Sequence, residues 1–202
     1  DSMNSVLLTD LNICVLGDGI ASGEGDPGHR GWAGPLIDSV RAGHGPLNYY
    51  NLGIVGQNSE AVLGRLTELE PRMPLGADNR LILAFGLMDA VGVGGADPLP
   101  AKTSWQNLST LLKQVHGHYK LLLVGPPAVY DPAHNARIKR INGGFRELCT
   151  RARVPYVDLF TSLQDDVQYR RELNQGDRLH PGPFGHRKIF DLVSNDRSWW
   201  FG

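Results

Sequence analysis

The chain has 202 residues, with 20 Lys and Arg against 21 Asp and Glu, and a formal net charge of -1. This length suits one compact domain over residues 1–202 and is ample for a buried core. The balanced charge, without a basic run, argues against a nucleic-acid partner. No apolar stretch approaches the ~20 residues of a membrane span, so stable membrane insertion is not expected.

Three further features of composition guide the interpretation. The polar residues 1–5 are expected to be disordered or derived from a tag, and no signal peptide follows them, which favours a cytoplasmic location. Cys14 and Cys149 are too few for a disulfide scaffold and are expected as small buried hydrophobes. Glycine occupies 25 of 202 positions, well above the usual ~7%, which predicts many tight turns.

Five short apolar runs follow one another along the chain, at 12–16, 47–52, 81–85, 119–124 and 154–160. Helical patterns fill the gaps, beginning with a face shared by Trp32, Leu36 and Val40. Continuous apolar runs are typical of strands buried on both faces, and strict strand–helix alternation implies a parallel sheet. We therefore predict a single-domain, three-layer α/β protein with a doubly wound parallel sheet of about five strands.

Glycine-rich turns follow the first three strands almost at once. They are Gly17-Asp18-Gly19, Gly53-Ile54-Val55-Gly56 and Gly86-Leu87-Met88-Asp89. In open parallel sheets, ligands bind outside the carboxyl ends of the strands, and glycine allows close backbone approach and free N–H groups. These turns therefore predict one binding crevice along the sheet edge.

The first turn also has the Gly-x-x-x-Gly-x-Gly spacing of a dinucleotide-binding loop, at Gly19, Gly23 and Gly25. A reductase of the short-chain dehydrogenase type is disfavoured for three reasons. Residues 26–28 (Asp-Pro-Gly) interrupt the helix that should follow, the second strand ends without an acidic residue, and no Tyr-x-x-x-Lys pair occurs. We therefore expect no cofactor, and no histidine spacing suggests a metal site.

A carboxylate precedes a histidine by three residues at Asp177 and His180, in a loop ahead of the last helix. This spacing lets Asp177 accept a hydrogen bond from one imidazole nitrogen, so that the other nitrogen can act as a base. By itself the pair is weak, because such spacing also arises in solvated loops.

Taken together, these blocks resemble the SGNH or GDSL hydrolase family over nearly the whole chain. The family pattern Gly-Asp-Ser-x-x-x-Gly matches residues 17–23 except at Gly19, and Asn-x-x-x-x-Gly matches residues 51–56. Gly-x-Asn-Asp matches residues 86–89 except at Met88, and Asp-x-x-His is intact. Trp32 and residues 125–127 (Gly-Pro-Pro) also look like the family. The resemblance implies a flavodoxin-like SGNH hydrolase fold and an esterase or lipase acting on small acyl esters.

The roles that the resemblance implies are only partly filled. Asp177 and His180 would keep their catalytic roles and Gly56 its oxyanion N–H. Gly19 would keep an N–H but lacks the nucleophile, and Met88 lacks the oxyanion donor. Gly17, Asp18, Gly86 and Asp89 would keep structural roles in the motifs. Because a missing triad nucleophile costs up to ~10⁶ in turnover, we expect acyl-enzyme chemistry through position 19 to be lost.

Several alternatives stay open at this stage. In the first, position 19 is an engineered or accidental change in an otherwise active hydrolase. In the second, the chain is a natural non-catalytic binding protein using the same crevice. In the third, it is a slow hydrolase in which His180 activates water. Ser22 is a conceivable but disfavoured substitute nucleophile. Ser59 is expected to cap the second helix, and His186 to lie on the surface or face the helix dipole. The terminal aromatics Trp199, Trp200 and Phe201 either pack back on the domain or form an apolar patch for a partner subunit or a lipid-like surface.

Overall fold

The computed structural model describes residues 10–202, so the expectation for residues 1–5 lies outside the described part. Its centre is a five-stranded parallel sheet with the strand order β2-β1-β3-β4-β5, as predicted for a doubly wound α/β domain. The strands are β1 (Leu11–Gly17), β2 (Asn48–Gly53), β3 (Asp78–Ala84), β4 (Lys120–Val124) and β5 (Tyr156–Val157). Gly17 is in register with both Gly53 and Ala84, so three strands end at one level.

Helices connect the strands and cover both faces of the sheet. They are α1 (Gly19–Ser22), α2 (Ala33–His44), α3 (Ser59–Leu63), α4 (Leu87–Val91), α5 (Ala101–Val115), α6 (Pro132–Ala152), α7 (Leu159–Leu163), α8 (Val167–Gln175) and α9 (Pro183–Ser194). Short 3₁₀ turns occupy Leu66–Glu68 and Val93–Gly95. Among residues 10–202, every helix is too short or too polar to cross a bilayer.

The core lies where the apolar runs predict it. The interior residues of β1, β3 and β4 are buried on both faces. Cys14 and Cys149 are buried and unpaired, as expected, and burial raises the pKa of each thiol to about 12. Both cysteines therefore behave as core side chains and not as nucleophiles.

Three predicted elements differ from the observed ones. The run 154–160 predicts a long strand, but β5 ends at Val157 because Asp158 caps α7 by accepting a hydrogen bond from the Thr161 N–H. Strand β2 is half-exposed, because it is an edge strand with one neighbour. Val62, Leu66 and Leu69 have the spacing of one helical face, but α3 ends at Leu63 with Gly64 as its cap, and a 3₁₀ turn follows.

The terminal aromatic residues pack back on the domain, which is the first of the two expected arrangements. Trp199 is buried, and the Trp200 indole donates to the Leu121 carbonyl at 3.3 Å. The Arg80 guanidinium lies 4.5 Å from the centre of the Phe201 ring. Arg80 and Leu121 stand near the starts of β3 and β4, so this cluster covers the edge of the sheet opposite the glycine turns.

Candidate active site

The turn after β1 is sharp because of Gly17 and Asp18. A Cβ on Gly17 would stand 1.8 Å from the Ala84 carbonyl oxygen, so only glycine fits between β1 and β3. Asp18 is buried and caps α1, accepting hydrogen bonds from the N–H groups of Ile20 (3.0 Å) and Ala21 (3.4 Å). This cap places Gly19 as the first residue of α1, at the carboxyl edge of the sheet.

Gly19 faces His180 directly. A Cβ built on Gly19 would lie 2.5 Å from His180 Nε2 and 3.2 Å from Cδ2. The direction in which a side chain at position 19 would leave the backbone therefore points at the imidazole nitrogen that Asp177 does not use. The structure thus brings together the first and last sequence blocks, 161 positions apart, at the point where a nucleophile would meet its base.

The Asp177–His180 pair is fully formed. Asp177 Oδ2 lies 2.7 Å from His180 Nδ1, and its Oδ1 accepts from the N–H groups of His180 (2.7 Å) and Leu179 (2.8 Å). Partial burial acts to raise the pKa of Asp177, but these hydrogen bonds outweigh it and hold the pKa below its usual value. The ionised carboxylate fixes Nδ1 as the protonated nitrogen and leaves Nε2 facing Gly19.

The loop that carries the pair is supported by Glu172, which sequence analysis did not single out. Its carboxylate accepts from the N–H groups of Gly182 (2.8 Å), Gly185 (2.7 Å) and Phe184 (3.0 Å) at the start of α9. Arg178 adopts a left-handed conformation with φ 68°, which turns the chain between Asp177 and His180. Glu172 binds the free N–H groups at the start of a helix that begins about ten residues further along the chain. No sequence motif predicts such a contact, so only the tertiary structure reveals it.

The turn after β2 is tied to the first turn. Asn51 Oδ1 accepts from the Gly53 N–H at 2.9 Å, while its Nδ2 donates to the Ala21 carbonyl at 2.9 Å. A Cβ on Gly53 would lie 2.4 Å from Ser22 N, so the two turns are in close contact. Gly56 has φ 86° and no atom within 4 Å of its Cβ position, so its backbone borders open space. The second block therefore lines the crevice with backbone.

The turn after β3 keeps its structural aspartate. Gly86 has φ 126°, a conformation that favours glycine, and is the N-cap residue of α4. Asp89 is fully buried and accepts from Ser59 N (2.7 Å) and Ser59 Oγ (2.5 Å). Met88, at the position where the family pattern has asparagine, is largely buried and adds only an apolar side chain.

Two expectations from the sequence, for Ser59 and His186, are corrected at this edge, and Ser22 points away from His180 as expected. Asn58, not Ser59, caps α3, because its side chain accepts from the Ala61 N–H and frees Ser59 to bind Asp89. His186 is buried, not on the surface, because its Nε2 donates to the Glu24 carbonyl at 2.8 Å. Ser22 Oγ donates back to the Gly19 carbonyl at 3.0 Å, so that hydroxyl belongs to α1 and does not meet His180.

The electrostatics of the site are dominated by one buried carboxyl. Burial raises the pKa of Asp18 to about 7, although His180 and two backbone N–H groups act to lower it. Burial also raises the pKa of Asp89. In residues 10–202, no group of three or more His, Cys, Asp or Glu side chains is arranged to hold a metal ion.

A cavity of about 500 Å³ opens beside Asp177. Its lining includes Val91 at the end of α4, Tyr130 and His134 from the segment after β4, and Leu179. Other cavities occur between helices, for example one of about 280 Å³ lined by Pro98 and Arg140, so size alone does not mark the site. The lining of the cavity beside Asp177 includes that carboxylate but neither Gly19 nor His180.

Comparisons with known proteins agree with the fold. Solved structures with a similar fold include a lipase/acylhydrolase from Enterococcus faecalis (23% identity, TM-score 0.71, 91% of this chain and 93% of that one). A psychrotrophic esterase, EstA from Pseudoalteromonas sp., gives 24% identity and a TM-score of 0.70 over 94% and 97%. A catalytic mutant of Axe2, an acetylxylan esterase from Geobacillus stearothermophilus, gives 16% and 0.73 over 89% and 90%.

A curated relative, YpmR of Bacillus subtilis (strain 168), is 23% identical over 168 residues. These cover 80% of this chain but 56% of YpmR, so the chain spans little more than half of that relative. Residues 15–188 match the GDSL-like lipase/acylhydrolase family, and this stretch holds every block from the first glycine turn to the Asp177–His180 pair. The chain therefore belongs to the GDSL-like lipase/acylhydrolase family.

Proposed function

We propose that this chain is an esterase-type hydrolase that takes small acyl esters into the crevice beside His180 but has lost acyl-enzyme chemistry at position 19. The observation that carries the proposal is the contact between Gly19 and His180. The backbone directs position 19 at His180 Nε2, yet no side chain is there to attack a carbonyl. The base and its orienting carboxylate are in place, so the missing part is the nucleophile.

Two further features support a crevice for acyl esters. Gly19 is the first residue of α1 and the Gly56 backbone borders open space, and backbone N–H groups in such positions are effective oxyanion donors. The cavity next to Asp177 combines apolar walls at Val91 and Leu179 with polar groups at Tyr130 and His134. Structural neighbours described as an esterase and an acetylxylan esterase act on acyl esters, which supports the same substrate class here.

The second candidate is a non-catalytic binding protein that uses the same crevice. It is favoured by the coincidence of two changes: Gly19 lacks a nucleophile, and Met88 lacks the donor of the third block. In the family pattern, both positions act on the same transition state. Loss of selection for catalysis would therefore explain both changes.

Restoring the nucleophile separates these two candidates. We expect Gly19→Ser to raise kcat/KM for a short chromogenic ester such as p-nitrophenyl acetate by about 10³-fold, because His180 and Asp177 are ready to activate the hydroxyl. The new Cβ would lie 2.5 Å from His180 Nε2, so the ring must shift together with its hydrogen bond to Asp177 to admit the serine. Gly43→Ser is the matched control, since Gly43 is an exposed helical glycine with open space around it.

A fluorophosphonate probe gives a second readout. It should label the Gly19→Ser protein at position 19 and leave the parent chain unlabelled. A folded Gly19→Ser protein with no gain in hydrolysis and no labelling would contradict the hydrolase proposal and leave the binding protein.

A further inference from the structure

A buried histidine on α9 connects the two sides of the crevice. His186 is 1% exposed, and its Nε2 lies 2.8 Å from the Glu24 carbonyl oxygen. A carbonyl oxygen only accepts hydrogen bonds, so Nε2 carries the proton and donates it. In residues 10–202, this is the one hydrogen bond between segment 17–31, which carries position 19, and segment 177–194, which carries the base.

The peptide of Glu24 passes this contact on to position 19. Its N–H donates to the Gly19 carbonyl at 2.9 Å, while its carbonyl accepts from the imidazole on α9. The next residue, Gly25, has φ 90°, and a Cβ on it would stand 2.1 Å from the Pro181 carbonyl oxygen and 3.3 Å from the His180 Cβ. The backbone of residues 24 and 25 is therefore a spacer between α1 and the loop that carries the base.

The two segments are otherwise fixed to different parts of the domain. Position 19 is fixed to the sheet, because Gly17 packs on β3 and Asp18 caps α1. The base loop is fixed to α8 and α9, because Glu172 on α8 accepts hydrogen bonds from N–H groups at the start of α9. The distance between position 19 and the base therefore depends on how the spacer meets α9.

Packing alone does not account for a histidine at position 186. The ring lies against the loop after α1, where a Cβ on Gly31 would stand 3.0 Å from His186 Nδ1. Nδ1 is buried without a hydrogen-bond partner in the described chain, and such an atom costs stability that an apolar side chain would avoid. Burial lowers the pKa of His186, so the ring is neutral at neutral pH and its single N–H goes to the Glu24 carbonyl.

We propose that His186 is a positioning residue, which sets the distance between position 19 and His180 through its hydrogen bond to the Glu24 carbonyl. It acts through the spacer and not on the substrate. Without the donor, the Glu24 carbonyl loses its partner and the spacer is free to move away from α9. Misplacing reacting groups by about 1 Å costs about 10²-fold in rate. The effect on hydrolysis rests on the proposed function, but the effect on the distance does not.

The first test compares two variants of His186 in the Gly19→Ser background. His186→Leu keeps a side chain of similar size but removes the donor, so we expect kcat for p-nitrophenyl acetate to fall by about 10²-fold with little change in KM. His186→Gln places an amide N–H near the Nε2 position and should recover most of that loss. Val193→Ala is the control, because it opens a cavity at a buried site on the same helix and should lower stability without changing kcat.

The second test uses the parent chain, so it does not depend on hydrolysis. The nuclear Overhauser effect between the Gly19 α-protons and the His180 ring protons reports their distance directly. We expect it to be weakened in His186→Leu and to be kept in His186→Gln and Val193→Ala. If His186→Leu does not fold, His186→Asn takes its place, since its amide is one carbon shorter than that of glutamine and should behave like leucine.

Two results would overturn the proposal. One is an unchanged Overhauser effect in the folded leucine or asparagine variant; the other is an equal loss of kcat in the glutamine and leucine variants. An inactive Gly19→Ser protein with a weakened Overhauser effect in His186→Leu would reject the proposed function and support the positioning role. An active Gly19→Ser protein whose kcat changes less than about tenfold with His186→Leu would reject the positioning role and keep the proposed function.

Discussion

The two sides of the crevice match the residues of the family pattern to different degrees. The loop before α9 has both the backbone shape and the reactive side chains of the pattern. Asp177 and His180 are hydrogen-bonded to each other, and Glu172 anchors the loop. The turns after β1 and β3 keep the backbone, but Gly19 and Met88 supply neither nucleophile nor donor. The difference shows that the shape of these turns does not depend on the reacting side chains.

The reason lies in which residues build each turn. After β1, the contact of Gly17 with the Ala84 carbonyl and the Asp18 cap set the chain direction. After β3, the buried Asp89 binds Ser59. None of these residues reacts with a substrate in the arrangement described above, so positions 19 and 88 can change without loss of the fold.

The largest effect is expected for Asp177→Asn in the Gly19→Ser background, which tests the loop before α9. We expect kcat for p-nitrophenyl acetate to fall about 10⁴-fold, because an asparagine amide presents a donor to Nδ1 and reverses the histidine tautomer. Asp165→Asn, an exposed aspartate in the same part of the chain, should have no effect. A loss below tenfold would mean that the pair is structural and not part of the reaction.

The turn after β3 is tested by Met88→Asn in the same Gly19→Ser background. An oxyanion donor contributes about 10² to 10³ in kcat, so the double variant should exceed Gly19→Ser by that factor. Met88→Leu keeps an apolar side chain of similar volume and should give no gain. Equal rates for the asparagine and leucine variants would show that position 88 does not reach the oxyanion.

The last test concerns the buried Asp18 carboxyl in the turn after β1, and its readout is stability, not activity. Its pKa is about 7 in the folded protein against 3.8 in a model peptide, so the folded state binds more protons than the unfolded state between these values. Its contribution to stability is therefore fully present below pH 3.8 and is lost as the pH rises through 7.

Asp18→Asn keeps a capping oxygen but does not titrate. The free energy of unfolding of the parent, relative to this variant, should fall by about 4 kcal/mol between pH 4 and pH 8 in urea titrations. Asp131→Asn is the control: the Ala133 N–H lowers the pKa of the Asp131 carboxyl, so its pH trend should have the opposite sign. The same trend for both variants would contradict the assignment to Asp18.

Much of the fold could be predicted from the sequence, because strands buried on both faces are apolar throughout. The strands β1, β3 and β4 lie close to the predicted runs. The errors lie where a polar side chain overrides an apolar pattern: Asp158 ends β5 and begins α7, and Asn58 replaces Ser59 as a cap. These outcomes depend on individual hydrogen bonds, which periodicity does not encode.

The sequence by itself determined the fold class, the glycine turns at the strand ends and the Asp177–His180 pair, because each is a local pattern of hydrophobicity or spacing. Only the tertiary structure decided which side chains face position 19. His180 reaches it from the other end of the chain, Glu24 stands beside it, and Glu172 anchors the loop from a neighbouring helix. Such contacts join residues that are distant in sequence or that lie in neighbouring turns without a fixed spacing. They depend on packing and on the direction of each side chain, so a sequence motif does not predict them.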